Sequence, residues 1–247
     1  MDVIGRIIFG KMLQLFNNDF LAYSGSLPIN LVVTSPPYNV GIHYDSHNDS
    51  MTYDQYLQWS FNWLSHLKQF MAEDGRLCIN VPISATVDNI NYSVSADITN
   101  IAKDAGYYFY RCIVWYKISS KTCWGSWRSA SSPFVRDSSE AILVFSNSPK
   151  WKRNNKGEST ITGEEFMLYT QNVWKMNAEN NSDHPAAFPE ELPSRCIKLF
   201  SYKGDTVMDC FMGSGTTGVM SKRLGRNFIG IEKSNKYFED ATIRINA

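Results

Sequence analysis

The sequence predicts an α/β fold, a mainly parallel sheet flanked by helices, and three observations lead there. Short apolar runs alternate with stretches of helical periodicity as far as Tyr116. Near the carboxyl end a glycine-rich turn joins a strand to a helix, and the strand that follows closes on an acid, Glu232. At 247 residues the chain can bury a full core, so one domain covering residues 1–247 with an insertion is expected, and not two independent folds.

In order, residues 6–10 read as a short strand and residues 12–16 as a helical turn or two, a β-then-α opening. Asn30, Leu31, Val32 and Val33 form an apolar strand, and residues 40–50 a polar loop. Residues 53–71 carry Tyr56, Trp59, Phe61, Trp63, Leu64, Leu67 and Phe70 at helical spacing. That predicts a long amphipathic helix with its aromatic stripe in the core, closed by Glu73-Asp74-Gly75. Residues 76–81 read as a strand, 95–105 as a helix stopped by Gly106, and 111–116 as a strand. The alternation breaks after Lys117 in a Ser-, Lys- and Trp-rich stretch that runs to Asp137. Residues 141–145 read as a strand, and residues 146–183 are polar, an insertion or loop region rather than core. Prolines punctuate residues 185–193. A helix over 194–200, a strand over 205–208, a helix over 219–224 and a strand over 227–231 complete the chain.

Lys plus Arg and Asp plus Glu number 24 each, so the formal charge is zero, and a nucleic-acid partner would need positive charge gathered on one face. Five cysteines, odd in number and without C-x-x-C spacing, argue against a disulfide framework and a structural zinc site and point to a reducing compartment. No apolar run approaches the roughly 18 to 20 residues of a membrane span, and the start lacks a signal-peptide pattern. The expectation is a cytoplasmic protein with no membrane partner.

The stretch Thr34-Ser35-Pro36-Pro37-Tyr38-Asn39 directly follows the apolar strand. Consecutive prolines cannot continue a sheet ladder, so the backbone turns out at the strand's carboxyl end, where open α/β sheets bind ligands. Proline fixes φ and lacks an N–H, which leaves the carbonyls of Ser35 and Pro36 as stiff acceptors beside the Ser35 hydroxyl and the Tyr38 ring. Such a set can hold an amino group on a flat ring; a plain proline-rich turn is the alternative. In Asp209-Cys210-Phe211-Met212-Gly213-Ser214-Gly215-Thr216-Thr217-Gly218, the glycines let a ligand approach the backbone with a helix N-terminus behind it, and Glu232 is suited to ribose hydroxyls. A tight turn is the alternative for a lone Gly-x-Gly, but strand, glycines, helix and acid together read as a nucleoside-binding βαβ unit. The spacing departs from the dinucleotide fingerprint, which disfavours a dehydrogenase.

Thr-Ser-Pro-Pro-Tyr-Asn closely resembles, in its Ser form, the catalytic motif of the DNA methyltransferases that modify exocyclic amino groups, N4 of cytosine or N6 of adenine. Asp-x-Phe-x-Gly-Ser-Gly-Thr-Thr is similar to the S-adenosyl-L-methionine motif of the same family. Catalytic motif first and cofactor motif last resembles the β group, a circular permutation of the usual order. The resemblance covers nearly the whole chain. It implies a Rossmann-like S-adenosylmethionine-dependent methyltransferase fold, with a target-recognition insertion over approximately residues 117–183. It implies catalytic roles for Ser35, Pro36, Pro37 and Tyr38. It also implies cofactor binding by Thr34, Asp209, Phe211, Gly213, Ser214, Gly215, Thr216, Thr217 and Glu232, with His184, Pro185 and Phe188 in a segment closing over the methionine part. Two departures stand out. Cys210 replaces the family's proline and packs as a small apolar residue; as a nucleophile it would need a Pro-Cys motif that is absent. Gly10-Lys11 stands where the family has Gly-Asp, which removes an acidic contact to the adenine.

The lone pair of an exocyclic amine is delocalised into its ring. Acceptors at Ser35 and the Pro36 carbonyl would draw the amino hydrogens and bias the nitrogen toward sp³ for in-line attack on the cofactor methyl, with no metal required. A duplex buries that amine, so the base must flip out, with Tyr38 as its stacking partner. Double-stranded DNA is the expected partner, and the resemblance adds a homodimer mate and a cognate restriction endonuclease as candidates. Lys121, Arg128, Arg136, Lys152 and Arg153, interleaved with Trp124 and Trp127, are the expected DNA contacts. Between Lys117 and Lys156 the acids are Asp137 and Glu140. A solvated loop with tryptophans in the core is the alternative there. The Ser form favours cytosine N4, whereas Asn39-Val40-Gly41 is shared with adenine enzymes, so cytosine leads and adenine N6 is the alternative. An RNA or protein-glutamine amino-methyltransferase, and a non-catalytic nucleoside-binding module, are further readings.

Overall fold

The computed structural model describes residues 2–8, 11–25, 28–38, 51–118, 126, 128–154, 156–178 and 188–247. In chain order they form β1 (Asp2–Ile8), β2 (Lys11–Asn17), a 3-10 turn (Phe20–Ala22), β3 (Ile29–Thr34), α1 (Tyr53–Lys68), β4 (Met71–Pro82), β5 (Ala85–Val87), β6 (Ile90–Tyr92), α2 (Val94–Asp104) and β7 (Tyr108–Ile118). They continue through β8 (Ser139–Ser146), α3 (Gly163–Tyr169), β9 (Val173–Asn177), α4 (Glu191–Phe200), β10 (Thr206–Asp209), α5 (Thr216–Arg223), β11 (Asn227–Glu232) and α6 (Asn235–Asn246).

Among the described residues one sheet runs in the order β1-β2-β11-β10-β3-β4-β8-β7-β9. Its ladders are parallel from β2 through β11, β10 and β3 to β4, and again between β7 and β9. They are antiparallel at β1/β2, β4/β8 and β8/β7. Side chains alternate between its faces with the two-residue period of a strand. Val32, Met208, Ile229 and Leu143 join Trp63, Leu64 and Leu67 of α1 and Ile98 of α2, whereas Leu31, Val33, Val207 and Phe228 join Leu192 and Ile197 of α4, Val219 of α5 and Phe238 and Ile245 of α6. The sheet is therefore sandwiched between two helical layers, as an α/β domain requires.

From β10 the chain moves outward through α5 to β11, and from β3 it moves the other way through α1 to β4. The boundary between β10 and β3 is thus the topological switch point, where the crevice at the strands' carboxyl ends is open to a ligand. Both motifs finish their strands there.

Several expectations are corrected. Residues 12–16 are strand, not helix: Leu13 and Leu15 are buried while Met12, Gln14 and Phe16, which alternate with them, are less so, and five residues are too few to separate the two periods. The long helix ends at Lys68, and Glu73-Asp74-Gly75 belongs to β4. Of its apolar stripe Tyr56, Trp63, Leu64 and Leu67 are core, Trp59 and, just past the helix, Phe70 pack partly buried against them, and Phe61 is 37% exposed. The polar region 146–183 is not only loop, because β9 pairs with β7 and buries Trp174 and Met176.

Candidate active site

The register Val207↔Leu31 and Met208↔Val32 runs on to set Asp209 level with Val33, one residue before Thr34, so the side chains of Asp209 and Thr34 meet at the carboxyl edge. The Thr34 hydroxyl donates to Asp209 Oδ1 at 2.7 Å, and the Phe211 N–H donates to the same oxygen at 3.1 Å. Burial pushes the Asp209 carboxyl up to about 6, against hydrogen bonds from Thr34, Thr217 and Phe211 that lower it; the charge of Glu232 adds to the rise. Glu232, at the end of β11, accepts from the N–H of Gly213 and of Ser234, both at 2.8 Å, and burial lifts its carboxyl as well.

Between these carboxyls the chain turns through Gly213 and Gly215, with φ of 51° and 79°, the left-handed region that favours glycine. Gly215 caps α5 without a side-chain hydrogen bond, so the first N–H groups of that helix have no side-chain acceptor at the cap. Ser214 and Thr216 are held at the turn by Arg244, whose Nη1 lies 3.3 Å from Ser214 Oγ and 3.0 Å from Thr216 Oγ1. Phe211 anchors the turn against Trp59 and Trp63. Two acceptor groups flanking a bare backbone turn at a helix N-terminus suit a ligand that carries hydrogen-bond donors, such as hydroxyl or ammonium groups, together with an anionic group such as a carboxylate.

Ser35 and Tyr38 are joined by a 2.7 Å hydrogen bond between their hydroxyls. Ser35 Oγ also lies 3.3 Å from the Asn80 carbonyl. The Tyr38 hydroxyl lies 3.2 Å from Glu140 Oε2, and Asn80 Nδ2 donates to Tyr38 OH at 2.8 Å and to Glu140 Oε2 at 2.6 Å. Lys117 pairs with the other oxygen of Glu140. Pro36 is buried and Pro37 half-buried. Asn80 and Glu140 were not among the residues expected here. A signal existed for Asn80, which is polar inside the apolar run Leu77-Cys78-Ile79-Asn80-Val81 and 3% exposed.

The remaining expected residues divide. Phe188 is buried with Leu192 and Cys196. His184, Pro185, Lys121, Trp124 and Trp127 lie outside the described residues, as do Asn39 and residues 40–50. Arg128 and Arg136 lie between β7 and β8 at the carboxyl edge, where Ser84 Oγ donates to Asp137 Oδ1 at 3.2 Å. Lys152 and Arg153 follow β8, which carries the chain about 25 Å to the opposite edge. There Arg153 pairs with Asp74 and Asp205, and Trp151 stacks on Tyr110 under Arg76. Among the described residues the basic stretch is therefore two groups at opposite ends of the sheet. Cys210 is 2% exposed, and burial pushes its thiol well up, as for a packing residue. The departure at Gly10-Lys11 also changes meaning. Lys11 begins β2, and the acid at the carboxyl end of that strand is Asp19, which caps the 3-10 turn by accepting from the Leu21 N–H at 3.0 Å.

Comparison with known proteins agrees with this geometry. A family model described as DNA methylase, of the N6/N4 type, matches residues 29–243. The Type II methyltransferase M.MjaVI of Methanocaldococcus jannaschii is 42% identical over 190 residues, covering 74% of this chain and 96% of that protein. M.HpaI of Haemophilus parainfluenzae is 29% identical over 231 residues, covering 89% and 68%. Among solved structures, a Thermus thermophilus protein described as a DNA modification methylase, in complex with S-adenosyl-L-methionine, is 25% identical with a TM-score of 0.74 over 94% of this chain and 93% of its own. The cytosine-N4-specific PvuII DNA methyltransferase shares the fold at 21% identity, with a TM-score of 0.74 over 94% of this chain and 86% of its own. With the family model spanning β3 to α6, and both motifs meeting at the switch point, the chain belongs to the N6/N4 DNA methylase family.

Proposed function

We propose that this chain is a site-specific DNA methyltransferase that methylates an exocyclic amino group, N4 of cytosine first and N6 of adenine as the alternative. The observation that carries the reading is the Thr34–Asp209 hydrogen bond, which puts the amine-binding segment against the carboxyl of the glycine turn. Bound S-adenosyl-L-methionine supplies an electrophilic methyl group. The residues for it are Thr34, Asp209, Phe211, Gly213 to Thr217 and Glu232, with Phe188, His184 and Pro185 closing over the methionine end. Opposite them, Ser35 Oγ and the Pro36 carbonyl accept the amino hydrogens, and the Tyr38 ring stacks on the flipped base. Arg128 and Arg136, with Lys121, Trp124 and Trp127, are the proposed DNA contacts from the segment between β7 and β8 in the sequence, part of the proposed target-recognition region over residues 117–183.

Serine at the first catalytic position supports cytosine. The Asn39-Val40-Gly41 continuation supports adenine. A homodimer and a cognate restriction endonuclease belong to the same reading, the latter supported by relatives named Type II methyltransferases. Incubation with labelled cofactor and, side by side, duplex DNA, RNA and protein tests the substrate; label confined to RNA or protein overturns the DNA assignment. Digesting the labelled DNA to nucleosides and weighing the product identifies the base. N4-methylcytosine is expected, and N6-methyladenine alone would refute the cytosine assignment while leaving the reaction type in place.

A further inference from the structure

One acid sets the direction of the hydrogen bonds around the catalytic segment. Glu140, at the start of β8, is 13% exposed at its side chain and paired with Lys117 of β7. A carboxylate held by an ammonium group offers acceptors only. Tyr38 has one hydroxyl proton. Given to Glu140 Oε2 at 3.2 Å, that proton leaves the phenolic oxygen to accept, from Asn80 Nδ2 at 2.8 Å and from Ser35 Oγ at 2.7 Å. The same acid orients the Asn80 amide, because Nδ2 must face Glu140 Oε2 at 2.6 Å; Asn80 Oδ1 is then the end that is buried without a hydrogen-bond partner. The Ser35 proton is directed into the protein, to Tyr38 OH or to the Asn80 carbonyl, and the lone pairs of Ser35 Oγ are what remains for a ligand.

Direction matters here because serine can donate as well as accept. A hydroxyl that donated to the amino nitrogen would occupy the lone pair that has to attack. We infer that Glu140 is a positioning residue: through Tyr38 it orders the Ser35 hydroxyl, so that Ser35 Oγ meets the target base only as an acceptor of an amino N–H. The inference rests on the methyl-transfer reading above and adds a residue that neither sequence motif contains.

Single-turnover transfer from labelled cofactor to duplex DNA tests it, with cofactor affinity measured by calorimetry on each variant. In Glu140→Gln one amide oxygen faces three donors, Tyr38 OH, Asn80 Nδ2 and Lys117 Nζ, and the amide nitrogen can itself donate. The rate is expected to fall about ten- to a hundredfold, the range of a hydrogen bond to a charged group, with cofactor affinity unchanged. Glu140→Asp, which stays acceptor-only, recovers part of the loss. Tyr38→Phe keeps the ring, so stacking alone predicts little change, whereas loss of the relay predicts a fall of about tenfold. In the Tyr38→Phe background Glu140→Gln should cost less than about twofold more, because both act through one hydroxyl. A wild-type rate in Glu140→Gln, or losses that multiply in the double variant, overturns the inference alone. If Glu140→Gln binds no cofactor and so has not folded, Tyr38→Phe decides, and a wild-type rate there overturns it. A wild-type protein that labels no DNA overturns the underlying reading, and this inference with it.

Discussion

Asp209 combines a buried carboxyl with hydrogen bonds from Thr34, Phe211 and Thr217, the first two to a single oxygen, so its charge can be removed while those two contacts stay. Both Thr34 Oγ1 and the Phe211 N–H use Oδ1, which an asparagine retains. Because burial raises the folded-state value from 3.8 to about 6, the folded protein binds the proton more tightly than the unfolded chain does. The stability this contributes is full below about pH 4 and is lost as pH rises through 6, an effect of about 3 kcal/mol. Asp209→Asn should remove that slope. Urea unfolding at several pH values is expected to show the variant gaining on the wild type between about pH 4 and 6 and staying ahead above it, while binding cofactor more weakly. An unchanged difference across that window would mean that Asp209 is not the titrating group.

At the scale of elements, the fit of α5 against α6 and β11 depends on missing side chains. A Cβ at Gly218 would meet Ile245 Cδ1 at 2.5 Å and Phe228 Cε1 at 2.6 Å, whereas one at Gly163, the first residue of α3, meets nothing within 4 Å. Gly218→Ala should therefore push α5 away from its neighbours, costing about 1–3 kcal/mol and weakening cofactor binding through the displaced turn. Gly163→Ala should be neutral or stabilising by about 0.5–1 kcal/mol. Denaturant midpoints compare the pair directly. β9 shows the same dependence on neighbours, since its alternating Val173-Trp174-Lys175-Met176-Asn177 is a strand only where β7 lies beside it.

Over the whole molecule, β8 separates two groups of cations that are close in sequence. Arg128 is exposed at the carboxyl edge, and Arg153 is locked between Asp74 and Asp205 at the other. Arg128→Ala is expected to leave thermal stability alone and lower the salt slope of DNA binding by about one. Arg153→Ala should cost about 3 kcal/mol or more, by leaving two carboxylates without their partner, with no loss of DNA affinity in the fraction that remains folded. Fluorescence anisotropy across a salt series, beside calorimetric unfolding, checks both. A folded Arg153→Ala protein that bound DNA poorly would put the amino edge in the interface.

By itself the sequence determined β3, β10, β11, the strand-turn-helix around Gly213 and Gly215, and the residues of both motifs, since each of these is written in neighbouring residues. Only the tertiary structure decided that Met12 to Phe16 is a strand, that β9 completes the sheet, that the 85–92 segment folds back as the β5–β6 hairpin, and that Asn80 and Glu140 belong to the site. The reason is separation along the chain. Tyr38 and Glu140 are 102 residues apart, and Asn80 and Glu140 are 60 apart. A polar residue in one strand reveals that it needs a partner, but which partner follows from strand order and register. Those are set by how the apolar faces of distant segments pack together, and no local pattern encodes that.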